Sequence, residues 1–508
     1  MLQNIKKGGF IMNSETSFGN YFKLPNPGLR SYFGHVAAGQ PDEYRTPFYG
    51  GKALKSILSD WIRILEPGIR EKWSSLWEFE MDLAKKVGPL SIMQPLVKRL
   101  PDIKAYYEGI LLPSEPIDTA ALASVVKEWG PYRGIRVRSQ FRTVENMKKS
   151  TNSGSPFFSK RSGVVERTMP CQVWVDGKYV HQDLAIRTNF PERGHAYSQH
   201  GPVASSKWLA CATLGWRGQE GGPTDEDVKQ RVVWMFPFAV NLRELQVYQP
   251  LIEAAQRGNI VPAWNGMEAV DAEITALFDT KGVEDLIICT DFTKFDQHFG
   301  RHMQEAAYYV ISNVLSRDAQ SQDWCRNVFP IKYMIPLAVS MGRIIYGPHG
   351  MGSGSGGTNA DETLSHRALQ YEAAQAQGKD LNPHSMCLGD DGIISYPGCT
   401  VEDVTRSYSR HGLEMNTSKQ YASAQDCVYL RRWHHRDYRV NGVCAGVYST
   451  CRALGRLAEQ ERYYDPEKWS REMVALRQLS IIENVKYHPM RDEFARYCMK
   501  GDKYRLGI

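Results

Sequence analysis

Nothing in this chain reads as a membrane-spanning helix. Its longest apolar stretches, Leu286 to Cys289 and Ile331 to Val339, are short or interrupted by polar residues, far below the ~20 consecutive residues that cross a bilayer. The first residues, MLQNIKKGGFIMNS, have lysines but no apolar run of signal-peptide length and no small-residue cleavage site, so the protein is expected to stay in the cytosol where it is made. None of the ten cysteines forms a CxxC pair, and His434 and His435, although near Cys427 and Cys444 in the sequence, fit no common zinc spacing; free thiols are the expectation. There is no internal repeat and no low-complexity segment. Charge is nearly balanced, +6 over 508 residues, and on its own says little about partners. A chain of this length that is 42% hydrophobic has apolar material for about three or four structural units.

What is present is unevenly spread. Between Pro131 and Arg167 stand Arg133, Arg136, Arg138, Arg142, Lys148, Lys149, Lys160, Arg161 and Arg167, opposed only by Glu145 and Glu166. Tyr132, Phe141, Phe157 and Phe158 are interleaved with them. That is the make-up of a groove that neutralises phosphates and offers faces for bases to stack on, and equally of a solvated basic surface. Gly and Pro turns mark an irregular arm at the start of the chain, followed by helical periodicity from Leu54 to Leu100. QVWVDGKYV and RVVWMFPFAV read as strands around a Gly-rich loop at Gly218 to Pro223. Residues 301–345 read as helix, then an apolar segment ending in a MGRIIYG strand, and a Pro-started helix is expected from Pro466 to Asn484.

Three segments carry chemistry. In DLIICTDFTKFD an apolar strand delivers Asp291 at its end, with Asp296 five positions later; a carboxylate at a strand end suits a hard divalent cation. In SMCLGDDGIISY two short apolar strands flank Gly389, Asp390, Asp391 and Gly392, and Asp-Gly between hydrophobic runs predicts a hairpin. An ordinary turn needs one acid; a second beside it is costly unless cations bind there. Between the two lies GMGSGSGGTNADET, a Gly and Ser-rich loop opening a helix, suited to backbone approach to phosphate or sugar oxygens. It lacks the GKS or GKT of a P-loop and the GxGxxG of dinucleotide folds.

Taken in order, Asp291-x4-Asp296, Ser353-Gly354 to Thr358 and Gly389-Asp390-Asp391 resemble motifs A, B and C of the palm of viral RNA-dependent RNA polymerases. The wording DFTKFDQHF, SGSGGTN and LGDDG is most similar to the picobirnavirus polymerases, with partitivirus enzymes next nearest. HGLEMNTSK resembles motif D, VYLRRW motif E, DVKQRVVW motif F and TNSGSPF motif G.

The resemblance implies an α+β, right-hand polymerase with an antiparallel palm sheet flanked by helices. It divides the chain into an N-terminal arm (1–60), fingers (61–260), palm (261–300), a fingers insertion (301–345), palm again (346–450) and thumb (451–508). It implies template-directed RNA synthesis for a double-stranded RNA virus, beginning without a primer and using two Mg²⁺ or Mn²⁺ ions. Asp291, Asp390 and Asp391 are the implied metal ligands, and Lys419 the acid for departing pyrophosphate. Lys229, Arg231, Asp296, Ser353, Gly354, Thr358 and Asn359 would hold the nucleotide; Ser153, Gly154, Pro156, Lys160, Arg161, Arg431 and Arg432 would contact RNA. Tyr463, Tyr464, Trp469 or the arm would support the first base. Implied partners are template and nascent RNA, ribonucleotides and the viral capsid protein, with the enzyme a monomer inside the virion and in the host cytoplasm. One departure stands out: where many relatives have an asparagine four residues after the motif B threonine, this chain has Glu362, leaving the partner of Asp296 open. A reverse transcriptase is disfavoured by Asp296 and the GDD turn, and an inactive RNA-binding scaffold by its having no use for clustered acids.

Overall fold

The apolar run after Leu286 becomes the strand Ile287–Thr290, buried on both faces by its alternating side chains. Ile288 enters the largest core, with Leu364, Ala368 and Leu369 of the helix Thr358–Ala376. Ile287 enters a smaller core with Val270, Ile274 and Leu277 of the helix Met267–Thr280. This strand lies inside an antiparallel sheet ordered Tyr421–Ser423, Ile287–Thr290, Asp391–Ile394, Met386–Leu388. The computed structural model from which this is read describes residues 27–155, 157–168, 171–175, 178–182, 211–341, 343–345 and 347–507.

A second four-stranded sheet runs Lys229–Met235, Ala212–Gln219, Leu337–Ser340, Arg343–Ile345 and includes one parallel pairing, Ala212–Gln219 with Leu337–Ser340. Within RVVWMFPFAV the strand ends at Met235. Pro237, which has no N–H for a ladder, instead precedes the helix Phe238–Gly258 as its N-cap, so FAV is helical rather than extended. Cys171–Val175 and Lys178–Gln182 pair as an antiparallel hairpin. The expected Pro466 helix is likewise divided: a 3-10 turn, Pro466–Lys468, is followed by the helix Arg471–Ile482, which Ser470 caps by accepting from Met473 N–H.

The helices Leu54–Ile69 and Ser74–Lys86 share a core with the C-terminal helices Thr450–Ala458 and Arg491–Gly501, through Trp61, Leu65, Leu76, Leu454, Leu457 and Phe494. Here residues expected in the arm and fingers lie against those expected in the thumb. Trp61 Nε1 donates to Thr450 Oγ1 at 2.8 Å. Fully buried Glu80 accepts from Ser449 Oγ (2.6 Å), Thr450 Oγ1 (2.6 Å), Thr450 N–H (2.9 Å) and Cys451 N–H (3.2 Å), with His488 Nε2 2.9 Å away. Burial alone would raise its pKa, but the His488 ring and these hydroxyls outweigh it and hold the carboxyl at about 2.

Candidate active site

The strand Met386–Leu388 turns at Gly389 and Asp390, because Leu388 already pairs with Asp391. The sharp bend is therefore Gly-Asp, one step before the expected Asp-Gly, and Asp391 and Gly392 belong to the returning strand. Gly389 takes φ +60°, which a residue without Cβ adopts at little cost. The helix Thr358–Ala376 grips this turn: Thr363 Oγ1 accepts from Gly389 N–H at 2.9 Å, and His366 Nδ1 lies 2.9 Å from the Gly389 carbonyl.

Thr290 pairs with Gly392, so Asp291 leaves its strand beside the Asp390-Asp391 pair. Ladder pairing to Tyr421–Ser423 ends at Cys289, and beyond it the Gln420 side chain takes over. Its Oε1 accepts from Asp291 N–H at 2.7 Å and its Nε2 donates to the Asp291 carbonyl at 2.8 Å. Asp390 remains solvent-accessible, yet the protein around the turn raises its carboxyl, and the negative charges of Asp296 and Asp291 raise it further against Arg231. Burial, then Asp390, push Asp391 up to about 7, although Leu430 N–H donates to Asp391 Oδ2 at 2.8 Å. The guanidinium groups of Arg231, near Asp390, and Arg431, near Asp391, oppose these shifts without cancelling them. Among the described residues no three carboxylates, imidazoles or thiols are grouped so as to hold a metal ion by themselves.

Asp296 sits in the short helix Phe295–His298, where Ser353 Oγ donates to its carboxylate and Met351 N–H to its carbonyl (2.8 Å). Buried Tyr106 hydrogen-bonds Ser353. Glu362, the departure from the motif B pattern, is buried close to Asp296 and Asp390, and its Oε1 has no hydrogen-bond partner. Burial and the charges of Asp296 and Asp390 raise Glu362 well above the usual carboxylate range, so it is a neutral acid beside an anion. Thr358 Oγ1 donates to Gly352 carbonyl (3.3 Å), and Asn359 Oδ1 accepts from Trp264 Nε1 (2.8 Å).

Lys229 and Arg231 are exposed on one face of the strand Lys229–Met235, where Arg231 opposes the upward shifts of the Asp390 and Glu362 carboxyls. Lys419 is exposed in the turn Thr417–Lys419, one residue before Gln420. The hairpin Asp426–Tyr429/Arg432–His435 turns at Leu430 and Arg431, both at positive φ. Arg431 faces a cavity of about 720 Å³ also lined by Arg217, Arg452, Arg456, Tyr464 and Trp469.

Arg432, expected on RNA, points inward instead. It is 8% exposed and makes a two-pronged ion pair with Asp271 at 2.8 and 3.0 Å. Arg161 is likewise engaged inward, on Asn241 Oδ1 (2.8 Å) and over the Phe238 ring, and Arg138 is spent on Glu253. Ser153 is buried, its hydroxyl accepting from Ser159 N–H, and Gly154 is buried against the Phe236 carbonyl, so neither presents a side chain to RNA. Lys160 is exposed, and Pro156 lies outside the described residues. Sequence reasoning missed Gln420, Tyr106 and the Asn241–Glu244 pair; all are common residue types whose roles come from partners distant in the chain.

Residues 219–445 match the family model of viral RNA-dependent RNA polymerases. A curated relative, the potential RNA-dependent RNA polymerase of human picobirnavirus (strain Human/Thailand/Hy005102/-), is 58% identical over 488 residues, 96% of this chain and 88% of the relative. The crystal structure of the RNA-dependent RNA polymerase of a human picobirnavirus superposes with a TM-score of 0.88 at 57% identity, covering 98% of this chain and 91% of that one. Its insertion loop deletion mutant matches equally, with TM-score 0.88, 57% identity, and 98% and 94% coverage. An RNA-directed RNA polymerase with the α+β right-hand fold, the chain belongs to the viral RNA-dependent RNA polymerases, among those of the picobirnaviruses.

Proposed function

We propose that RNA synthesis takes place at the Gly389–Asp390 turn, with Asp291 and Asp390 holding two Mg²⁺ or Mn²⁺ ions and Asp391 assisting. Enzymes of this family generally use divalent metal ions. The observation that carries the assignment is the placing of Asp291 at a strand end, one ladder step from Gly392, beside acids whose carboxyls are raised by burial and by one another. When bound, such cations acidify the attacking 3'-hydroxyl and stabilise the leaving oxygen. The remaining work is positioning and charge neutralisation, as phosphoryl transfer demands. Lys229 and Arg231 neutralise the triphosphate, Arg as a planar fork and Lys as a point charge. Lys419 gives a proton to departing pyrophosphate. Asp296, oriented by Ser353 and close to Glu362, accepts from the ribose 2'-hydroxyl, the group that separates RNA from DNA substrates.

Template and nascent RNA and ribonucleotides are the substrates. Template passes the 151–161 loop with exposed Lys160, and Arg431 meets the nascent strand. Synthesis begins without a primer, the first base resting on Tyr464 and Trp469, whose rings lie 6.0 Å apart at the cavity wall. The enzyme acts as a monomer with the capsid protein, within the virion and in the host cytoplasm. Asp390→Asn tests the assignment: it removes ligand charge from an exposed turn and no core packing, so nucleotide addition should vanish while the melting midpoint holds. RNA synthesis near the unmutated rate in magnesium or manganese would refute it.

A further inference from the structure

The loop that carries Ser353 is held by its backbone on one side. Trp234 N–H donates to the Ser353 carbonyl at 3.0 Å, and a Cβ on Gly354 would stand 1.8 Å from the Trp234 carbonyl oxygen. On its other side the loop meets side chains of the helix Phe238–Gly258. Ser355 Oγ donates to one oxygen of buried Glu244, and Gly356 N–H donates to the other at 3.2 Å. Asn241, one turn earlier and 5% exposed, donates from Nδ2 to the Gly354 carbonyl (3.3 Å) and to Glu244 Oε1 (3.2 Å). Its Oδ1 meanwhile accepts from Arg161 Nη2 at 2.8 Å. Arg161 belongs to the 151–161 loop, whose Ser153 carbonyl accepts from Phe238 N–H (2.7 Å) at the start of the same helix.

An unbroken line of hydrogen bonds thus runs from Arg161 through Asn241 to Gly354, next to the Ser353 that orients Asp296. An amide suits its middle position, since one end accepts and the other donates; a carboxylate there cannot donate and a hydrocarbon does neither. We propose that Asn241 is a positioning residue that ties the template-side loop to the 353–356 loop, making ribose selection depend on a side chain that touches neither template nor nucleotide. This rests on the reading of Asp296 and Ser353 as the sugar check and of residues 151–161 as the template-side loop.

The test is the ratio of kcat/KM for UTP to that for dUTP, measured with the full chain on one defined primer–template. Weaker template binding lowers both values alike and leaves this ratio unmoved. Asn241→Ala should lower the ratio about tenfold, the scale of one or two neutral hydrogen bonds, while kcat for UTP falls less than about threefold. Asn241→Asp, which keeps the acceptor for Arg161 and lacks the donor for Gly354, should fall as far. Arg161→Gln, at a half-exposed site, should lower the ratio in the native background and add nothing in the Asn241→Ala background. An unchanged ratio in Arg161→Gln or Asn241→Ala overturns the relay, as does independent addition of the two effects. Asp296→Ala is run alongside. If it loses the ribose preference while the other variants keep theirs, only the relay falls; if it too keeps the preference, the sugar-check reading falls and the relay with it.

Discussion

Gln420→Ala isolates the placing of one carboxylate. Gln420 contributes no charge, but its amide continues the sheet one step past the last ladder pair and fixes both polar groups of the Asp291 peptide, at 2.7 and 2.8 Å. Water can replace these exposed bonds, so each contributes at the lower end of the usual ~0.5–1.5 kcal/mol, about 1–2 kcal/mol together. If that energy holds Asp291 where the reaction needs it, its loss slows the chemical step by roughly 5–30-fold, at 1.36 kcal/mol per tenfold. The assay is single-nucleotide addition at saturating nucleotide across a metal titration. Gln420→Ala should show lower kcat and require more metal, with little change in the nucleotide KM. Gln420→Glu should be no better, because its second oxygen would face the Asp291 carbonyl that the amide now donates to. A kcat within twofold of the native value at every metal concentration would refute the reasoning, as would a change confined to KM.

Acid should destabilise the fold in two stages. Burial lowers His349 and His434 from 6.5 to about 4, so the stability that they give as neutral rings is present above pH 6.5 and lost as pH falls toward 4. Glu80, held at about 2 against an ordinary 4.5, adds roughly 3 kcal/mol above pH 4.5 that disappears toward pH 2. Urea midpoints across this range should show both declines, and Glu80→Gln should flatten the lower one; an unchanged profile in that variant would contradict the role given to Glu80. Gly354→Ala, with φ +146° and no room beside Trp234, should cost about 3 kcal/mol or more and most of the activity, and a native melting midpoint would show that the loop can shift. With a template blocked at its 3' end, γ-labelled GTP or ATP should appear in full-length product, and product dependent on an added primer would end the claim of primer independence.

The chemistry of the site was legible in the sequence wherever it rests on local pattern. DLIICTD states a buried strand with an acid at its end, and LGDDG a turn with too many acids for structure alone; both elements are present. What was not legible depends on register and on distant partners. In VYLRRW the two arginines look alike, but positive φ at Leu430 and Arg431 turns the chain so that Arg431 faces the cavity, while Arg432 enters the next strand and meets Asp271, 161 positions away. The hairpin bend fell a residue earlier than Asp-Gly statistics suggest because Gly389 is the residue that can take the left-handed conformation. Glu362 looked like a departure from pattern. Only the fold shows it buried beside Asp296, with burial and the neighbouring acids raising its carboxyl well above the usual range.

The core shared by the two ends of the described chain bears on how the protein is made. Trp61 waits for Thr450, Thr46 for Leu457 and Ile57 for Tyr497, at separations of 389, 411 and 440 residues. At the ~5–20 residues per second of translation, the apolar faces of the helices Leu54–Ile69 and Ser74–Lys86 stand without their C-terminal partners for roughly 20–80 s. Over that interval the sheet with its Gly389–Asp390 turn emerges and can close first, because Asp291 and Asp391 lie closer in the chain than Trp61 and Thr450. Each new molecule therefore passes through a stage with an assembled acidic turn and an unprotected greasy flank, when it is most exposed to chaperones and to premature aggregation.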